Sequence, residues 1–334
     1  MNEIIKLTEN QIALLRATAS DNPKVAEAAG KAFAAALEEP LRKGIFDEDN
    51  LGGIYMREVL APGAQSNYPL DFVRPGTEDL DFTAITLPKQ GRVPERHVEG
   101  DELWVPTFSI ANSIDWSLKY ARDARFDVIG RAVRVYQMGF TRKINEDGWH
   151  TILAACDARG LVAVDTAAAA GQFTKELISK MQTTMIRNAG GNGQAGVLTD
   201  LYTSLEAMED IRAWDFSEID EVTRGDILRS SGKNMATLYN TVLHFMTEFG
   251  VGQEYQTYLD TTLARSVVGA DAGDNEFVVG LDLSTNDSFV QPVRQELQTF
   301  DDPALHRFQK AGLYGWQEHG FAILDNRRCL LGTF

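Results

Sequence analysis

The chain has 334 residues, 44% of them hydrophobic and 24% charged, with a formal net charge of −16. That mix is ordinary for folded globular proteins and excludes general disorder; the length suits two modest domains or one elaborated domain. The acidic balance disfavours a DNA-wrapping or groove-reading protein, which needs a basic face; it serves plain solubility first and is also compatible with a wall that holds DNA without sticking to it.

The opening MNEIIKLTENQ has neither the basic start nor the apolar run of a secretory signal. No stretch approaches the roughly 18 uninterrupted apolar residues of a membrane span. A soluble protein, cytoplasmic when made, is expected. Cys156 and Cys329 lack CxxC spacing and stand far apart, so both are expected as free, core-like thiols in a reducing compartment.

The first 43 residues predict two helices. Thr8 and Gln11 have capping-box spacing before Ile12, Leu14 and Leu15. Asn22-Pro23 restarts a helix through VAEAAGKAFAAALEE, which Pro40 and Gly44 are expected to close. Its alanine-rich face suits docking on another surface better than folding alone. Residues 44–77, with Pro62, Gly63, Pro69, Pro75 and Gly76, read as an extended arm.

Short strands are expected at DFTAITL and DELWVPTFSI, joined by PKQGRVPERHVEG. The pattern predicts a long hairpin with a basic tip formed by Lys89, Arg92 and Arg96. Thirteen residues is long for a hairpin connection, and such loops are usually functional or disordered. From Tyr120 to Cys156 the period turns helical, with Ala121, Ala124, Val128, Ala132, Val135 and Met138 at three- and four-residue steps and Ile144, Ile152 and Leu153 continuing the apolar content. Breaks are expected near Gly139 or Gly148.

Beyond that, TKELISKMQTTMIRN predicts an amphipathic helix, GVLTDLY a buried strand, and SLEAMEDIRAW a helix capped by Thr203 or Ser204. Strands are expected near Asn234–Tyr239 and Glu276–Leu283. The stretch FQKAGLYGWQEHGFAILDNRRCLLGTF reads as two closing strands around a turn.

Gly191-x-Gly193-x-x-Gly196 matches a dinucleotide-binding pattern formally. The chemistry needs those glycines after a strand and before a helix; here they follow a helix and lead to a strand, so a plain loop is expected. His97, His150, His244, His306 and His319 show no metal-ligand spacing. Each is expected as an ordinary surface or core histidine. The acidic clusters at Glu78, Asp79 and Asp81, at Glu99, Asp101 and Glu102, and at Glu218, Asp220 and Glu221 lack a calcium-loop register and read as solvated faces. Trp104, Trp116, Trp149, Trp214 and Trp316 are expected as core or interface anchors. Neither a nucleophile elbow nor a Walker-type loop is present.

The order of these parts resembles the major capsid proteins of tailed bacteriophages that share the Hong Kong phage fold. ELWVPTFSIANSIDWSLKYARDARFDVI looks like that family's passage from E-loop through a peripheral strand into the spine helix. LTDLYTSLEAMEDIRAW looks like an axial-domain strand and helix, and YGWQEHGFAILDNRR like the final peripheral strands. The resemblance implies an α+β capsid fold with an N-terminal helical segment and arm (1–70) and an E-loop hairpin (71–110). A peripheral domain with the spine helix (111–160 and 290–334) and a mixed α/β axial domain (161–289) complete it.

It also implies a structural function without catalysis, cofactor or metal: self-assembly through hexamers and pentamers into an icosahedral head enclosing double-stranded DNA, which it touches loosely. The expected location is the virion, reached from the host cytoplasm without a membrane. Portal, scaffold and decoration proteins are the further partners, and Lys89, Arg92, Arg96 and Trp104 the expected subunit contacts. Lys89 is the sole lysine of the hairpin; no asparagine partner for a covalent cross-link is identifiable. The alternatives are an encapsulin-like compartment with a protein cargo and, on different grounds, a soluble α/β enzyme.

Overall fold

The structure, a computed structural model, describes residues 7–20, 22–48, 50–70, 101–165, 168, 171–187, 196–214, 234–263, 276–285 and 287–334. The expected strand DFTAITL and the basic tip lie outside them. The chain divides into two compact units: 1–67, 104–148 and 290–322 form the first, and 68–103, 149–289 and 323–334 the second.

The first unit opens with α1 (Glu9–Thr18) and α2 (Pro23–Glu48). The capping box at Thr8 and Gln11 is present, and Asn22 Oδ1 accepts the Lys24 amide at the start of α2. Pro40 does not stop this helix, and neither does Gly44. A proline has no N–H to give the carbonyl four residues back, here that of Ala36. The side-chain amide of Gln11 donates to Ala36 O instead, at 3.1 Å. One glutamine therefore caps α1 and repairs the hydrogen bond that Pro40 removes from α2. At Gly44, a Cβ would collide with the Gln137 side chain, so glycine serves close helix approach here.

The sheet of this unit runs β1 (Met56–Val59), β10 (Phe289–Asp301), β11 (Lys310–His319), β4 (Phe108–Ser117), with β12 (Ala322–Ile323) also paired to β10. β1 lies parallel to β10, and β10, β11 and β4 are antiparallel neighbours. The segment read as an arm thus contains the end of α2, β1, and β2 (Asn67–Leu70), which pairs with β3 (Asp101–Trp104). DELWVPTFSI divides into two strands because Val105–Thr107, with Pro106 at its centre, interrupts the ladder.

After the short α3 (Leu118–Arg122) comes α4 (Phe126–Arg159), 34 residues long and the longest helix among the described residues. It is unbroken at Gly139 and Gly148. Its buried stripe agrees with the expected one at Ile144, Ile152 and Leu153 and departs from it before them. Ile129, Val133, Tyr136, Phe140 and Ile144 are buried, while Val135 is 62% and Met138 45% exposed. Ala124 lies outside the helix, with φ +55°. The alanine spacing misled the reading: the aromatic side chains bury far more area, and they set the face that turns inward. Past Gly148 the stripe continues as Trp149, Ile152, Leu153 and Cys156, all fully buried within the second unit.

That second unit holds the sheet β5 (Val162–Val164), β13 (Cys329–Thr333), β9 (Phe277–Leu281), β6 (Asp200–Thr203), β8 (Thr241–Phe245), β7 (Asn234–Leu238), in that order. Helices α5 (Lys175–Arg187), α6 (Leu205–Ala213) and α7 (Glu254–Thr261) belong to it. Leu177, Ile178, Met181 and Met185 of α5 share one core with Leu201, Leu243, Val278 and Leu330 of the strands. The closing stretch is not a pair of strands about one turn, since β11 and β13 belong to different sheets. Cys156 and Cys329 are buried free thiols.

Gln11→Ala should destabilise the protomer by about 1–3 kcal/mol, through the lost cap bond and the stranded Ala36 carbonyl. In a Pro40→Ala background, where residue 40 supplies the missing N–H, chemical denaturation should show a smaller penalty for the same substitution.

Candidate assembly surfaces

The described residues contain no group of three or more His, Cys, Asp or Glu side chains able to hold a metal ion. Cavities open in both units. One of about 290 Å³ is lined by Ser113, Ile114, Asp115, Asp302, Leu305, Leu313 and Tyr314; another of about 150 Å³ lies around Gln172, Thr174, Asp210 and Trp214. Of the glycine motif only Gly196 is described, and its N–H donates to Asp282 Oδ2 at 2.9 Å. No described helix is long and apolar enough to cross a membrane.

The titratable groups are tied into the two interiors. Asp282 is fully buried, accepts the Gly196, Val197 and Ser284 amides, and lies 3.8 Å from the Arg328 guanidinium. Ser204 caps α6 as expected and also donates its hydroxyl to Glu276. Burial pushes the Glu276 carboxyl above the usual carboxylate range, against the lowering effect of that bond. Burial likewise raises the Tyr136 phenol to about 12. His150 stacks on Tyr258 with ring centroids 3.6 Å apart, and His244 stacks on Tyr202 while its Nε2 lies 2.8 Å from Asp200. His97 lies outside the described residues, as do all the acidic-cluster residues except Asp101 and Glu102.

Exposed large apolar side chains and unpaired strand edges are the candidate contact surfaces. Trp104, at the end of β3, is 62% exposed, and Phe108, opening β4, is 41% exposed. Trp116, Trp149 and Trp214 are buried, and Trp316 stacks on Phe300 at 4.8 Å. Lys89, Arg92 and Arg96 lie outside the described residues, so of the expected contacts only Trp104 is placed. The sequence reading missed Tyr239. It sits 52% exposed at the turn between β7 and β8, where Tyr239 and Asn240 are both left-handed, at φ +50° and +63°. Gln182 of α5 bonds Tyr239 O and Thr241 Oγ1, which holds this turn rigid. Asn between two short apolar alternations was the available signal.

Each sheet ends in strands with one unpaired edge among the described residues, β1 and β4 in the first unit and β5 and β7 in the second. Such edges invite pairing with another chain unless they are blunted. On β4, Asn112 Oδ1 accepts the Ser113 amide, and Asp115 pairs with Lys310 of the neighbouring strand. On β1, Arg57 pairs with Glu296 of the neighbouring β10, while the four residues are all exposed and Met56 and Val59 are apolar.

This geometry recurs in solved structures. A chain from the head of Helicobacter pylori bacteriophage KHP40 superposes with a TM-score of 0.57 at 9% identity, covering 86% of this chain and 90% of that one. The capsid of an empty GTA particle gives 0.56 at 12% identity, with the same two coverages, 86% and 90%. A chain from Microbacterium phage Oxtober96 gives 0.54 at 12%, covering 82% and 84%. The fold is a phage-capsid fold. No protein-family model matches the sequence, and no curated protein matches it. The expected α+β capsid architecture is therefore present, at identities where only the backbone plan is shared.

Trp104→Ala and Tyr239→Ala should each shift protomer stability by no more than about 0.5 kcal/mol, as exposed sites do. Trp149→Ala should cost about 3–5 kcal/mol as a buried truncation. Urea titrations of the three variants check the contrast.

Proposed function

We propose that this chain is the major capsid protein of a tailed-phage-type head. Copies assemble through hexamers and pentamers into an icosahedral shell that encloses double-stranded DNA. The carrying observation is the shared fold over 82–86% of the chain with chains from a phage head, a phage and a GTA capsid. Exposed Trp104, Phe108 and Tyr239 and the unpaired β1 edge support it, because large apolar groups and open edges on a protomer suit a partner of the same kind. α4 is the spine helix in this reading, 71–110 the E-loop hairpin, 290–334 with the spine the peripheral domain, and 161–289 the axial domain.

The reading assigns no catalysis and no cofactor. It places the protein in the virion, with portal, scaffold and decoration proteins as further partners. A net charge of −16 fits a wall that DNA touches only loosely. Negative-stain microscopy of the purified protein tests the proposal: closed shells support it, and monomers at every concentration overturn it. DNA inside native particles supports a viral head, whereas an enclosed protein supports an encapsulin-like compartment.

Lys89, Arg92, Arg96 and Trp104 are proposed subunit contacts. Each exposed ion pair is worth only about 0–1 kcal/mol, but symmetry repeats it around the shell. Neutralising the three basic residues should weaken assembly and reduce the salt sensitivity of what remains. Shortening 81–101 should abolish shells in sedimentation while circular dichroism stays that of the parent. Normal shells from the shortened chain would remove the hairpin from the interface.

A further inference from the structure

His319 ends β11 and is 2% exposed. Its ring lies 5.1 Å from that of Phe108 and 5.2 Å from that of Phe321, and its Nε2 atom has no hydrogen-bond partner. It lines a cavity of about 50 Å³ with Arg42, Tyr55, Arg57, Gln291 and Gln317. Two cations border this space, Arg57 from β1 and Arg42 from α2, and among the described residues no carboxylate does.

The nearby acids already pair with other groups, Glu296 with the two arginines themselves. Glu296 of β10 bonds Arg42 at 2.9 Å and Arg57 at 3.1 Å. Glu318 accepts the Thr107 hydroxyl and lies 3.6 Å from Arg294. α4 offers only Ile144 to the cavity, and the Tyr55 hydroxyl donates to Gly148 O. The pocket therefore accepts a neutral imidazole and has no counter-charge for an imidazolium.

We propose that His319 is an acid-released latch on β1: protonating its ring repels Arg57 and frees this edge strand from β10. β1 is the element that gives way because it is four exposed residues paired to one strand. The far side is pinned, since Gly320 N–H donates to Pro292 O and a Cβ at Gly320 would strike Pro106 O. Burial, and then Arg57, push the His319 proton affinity down to about 4 from 6.5. The latch is thus fully closed above pH 6.5, the ordinary histidine value, and its contribution is lost as pH falls toward 4. This inference does not depend on shell formation.

The test uses the full chain with labelled histidine for NMR titration, together with hydrogen exchange corrected for its intrinsic pH dependence. His319, assigned by its loss in His319→Gln, should remain neutral to below about pH 5. Protection of β1 and of the Leu60 amide, which donates to Val293 O, should fall by about tenfold or more between pH 6.5 and 4.5. His319→Gln should flatten that dependence, and Arg57→Gln should raise the pH at which the ring titrates while weakening the acid-driven opening. An ordinary histidine titration near 6.5, or equal pH dependence of β1 protection in parent and His319→Gln, would overturn the latch. Should His319→Gln fail to fold, an acid-driven opening that is undiminished in Arg57→Gln overturns it alone.

Discussion

A helix of 34 residues in water gains little from its own hydrogen bonds; its stability comes from covering its apolar stripe. In α4 that stripe is heavy with aromatic rings, and each unit supplies ring contacts to its own part of it. Tyr136 and Phe140 sit edge to face within the first unit, centroids 5.2 Å apart. Trp149 meets Tyr202 at 5.0 Å and Phe249 at 5.2 Å within the second. The strands come from distant sequence: β10 and β11 separate β1 from β4, and β13 inserts between β5 and β9. Neither sheet is complete until the C-terminal segments are in place, which makes both units rich in non-local pairing and costly in loop closure.

Close approach of elements is then achieved by residues that look like defects. Glycine in a helix or strand usually weakens it, yet a Cβ at Gly315 in β11 would meet Gln298 O and the Tyr136 hydroxyl at 2.4 Å. Pro40 follows the same logic with a donor in place of a void. The buried polar groups serve order as well: Asp282 gathers three amides from two loop segments that carry no regular pairing of their own. A buried carboxylate with such bonds is specific, because any other arrangement leaves it unsatisfied.

Local signals were legible and non-local ones were not. The caps at Thr8 and Ser204 and the helical period of α4 act within a few residues, so spacing revealed them. The rescue of Pro40 comes from Gln11, 25 residues away from the carbonyl it serves, and nothing in a local window announces it. β1 hid in a proline-rich stretch because its pairing with Val290–Val293 is set by distance in space alone. At the surface, Trp104 could be singled out by residue type, but its exposure could not be separated from the burial of Trp116 and Trp149 without the fold. Tyr239 needed the turn geometry.

The interior ionisable groups also oppose one another in their response to acid. Glu276 and Asp301 are raised by burial, so the folded state holds their protons more tightly than the unfolded chain. Their sites therefore gain stability as pH falls through their raised range toward the free carboxylate range. His319 is lowered, and its site loses stability as pH falls below the free histidine value. Asp301 and His319 belong to the first unit and Glu276 to the second. Mild acid thus strengthens one buried site in the second unit, while in the first it pulls two sites in opposite directions. A loss of order that begins in the first unit, at its weakest edge, follows from that asymmetry without any change in the hydrophobic cores.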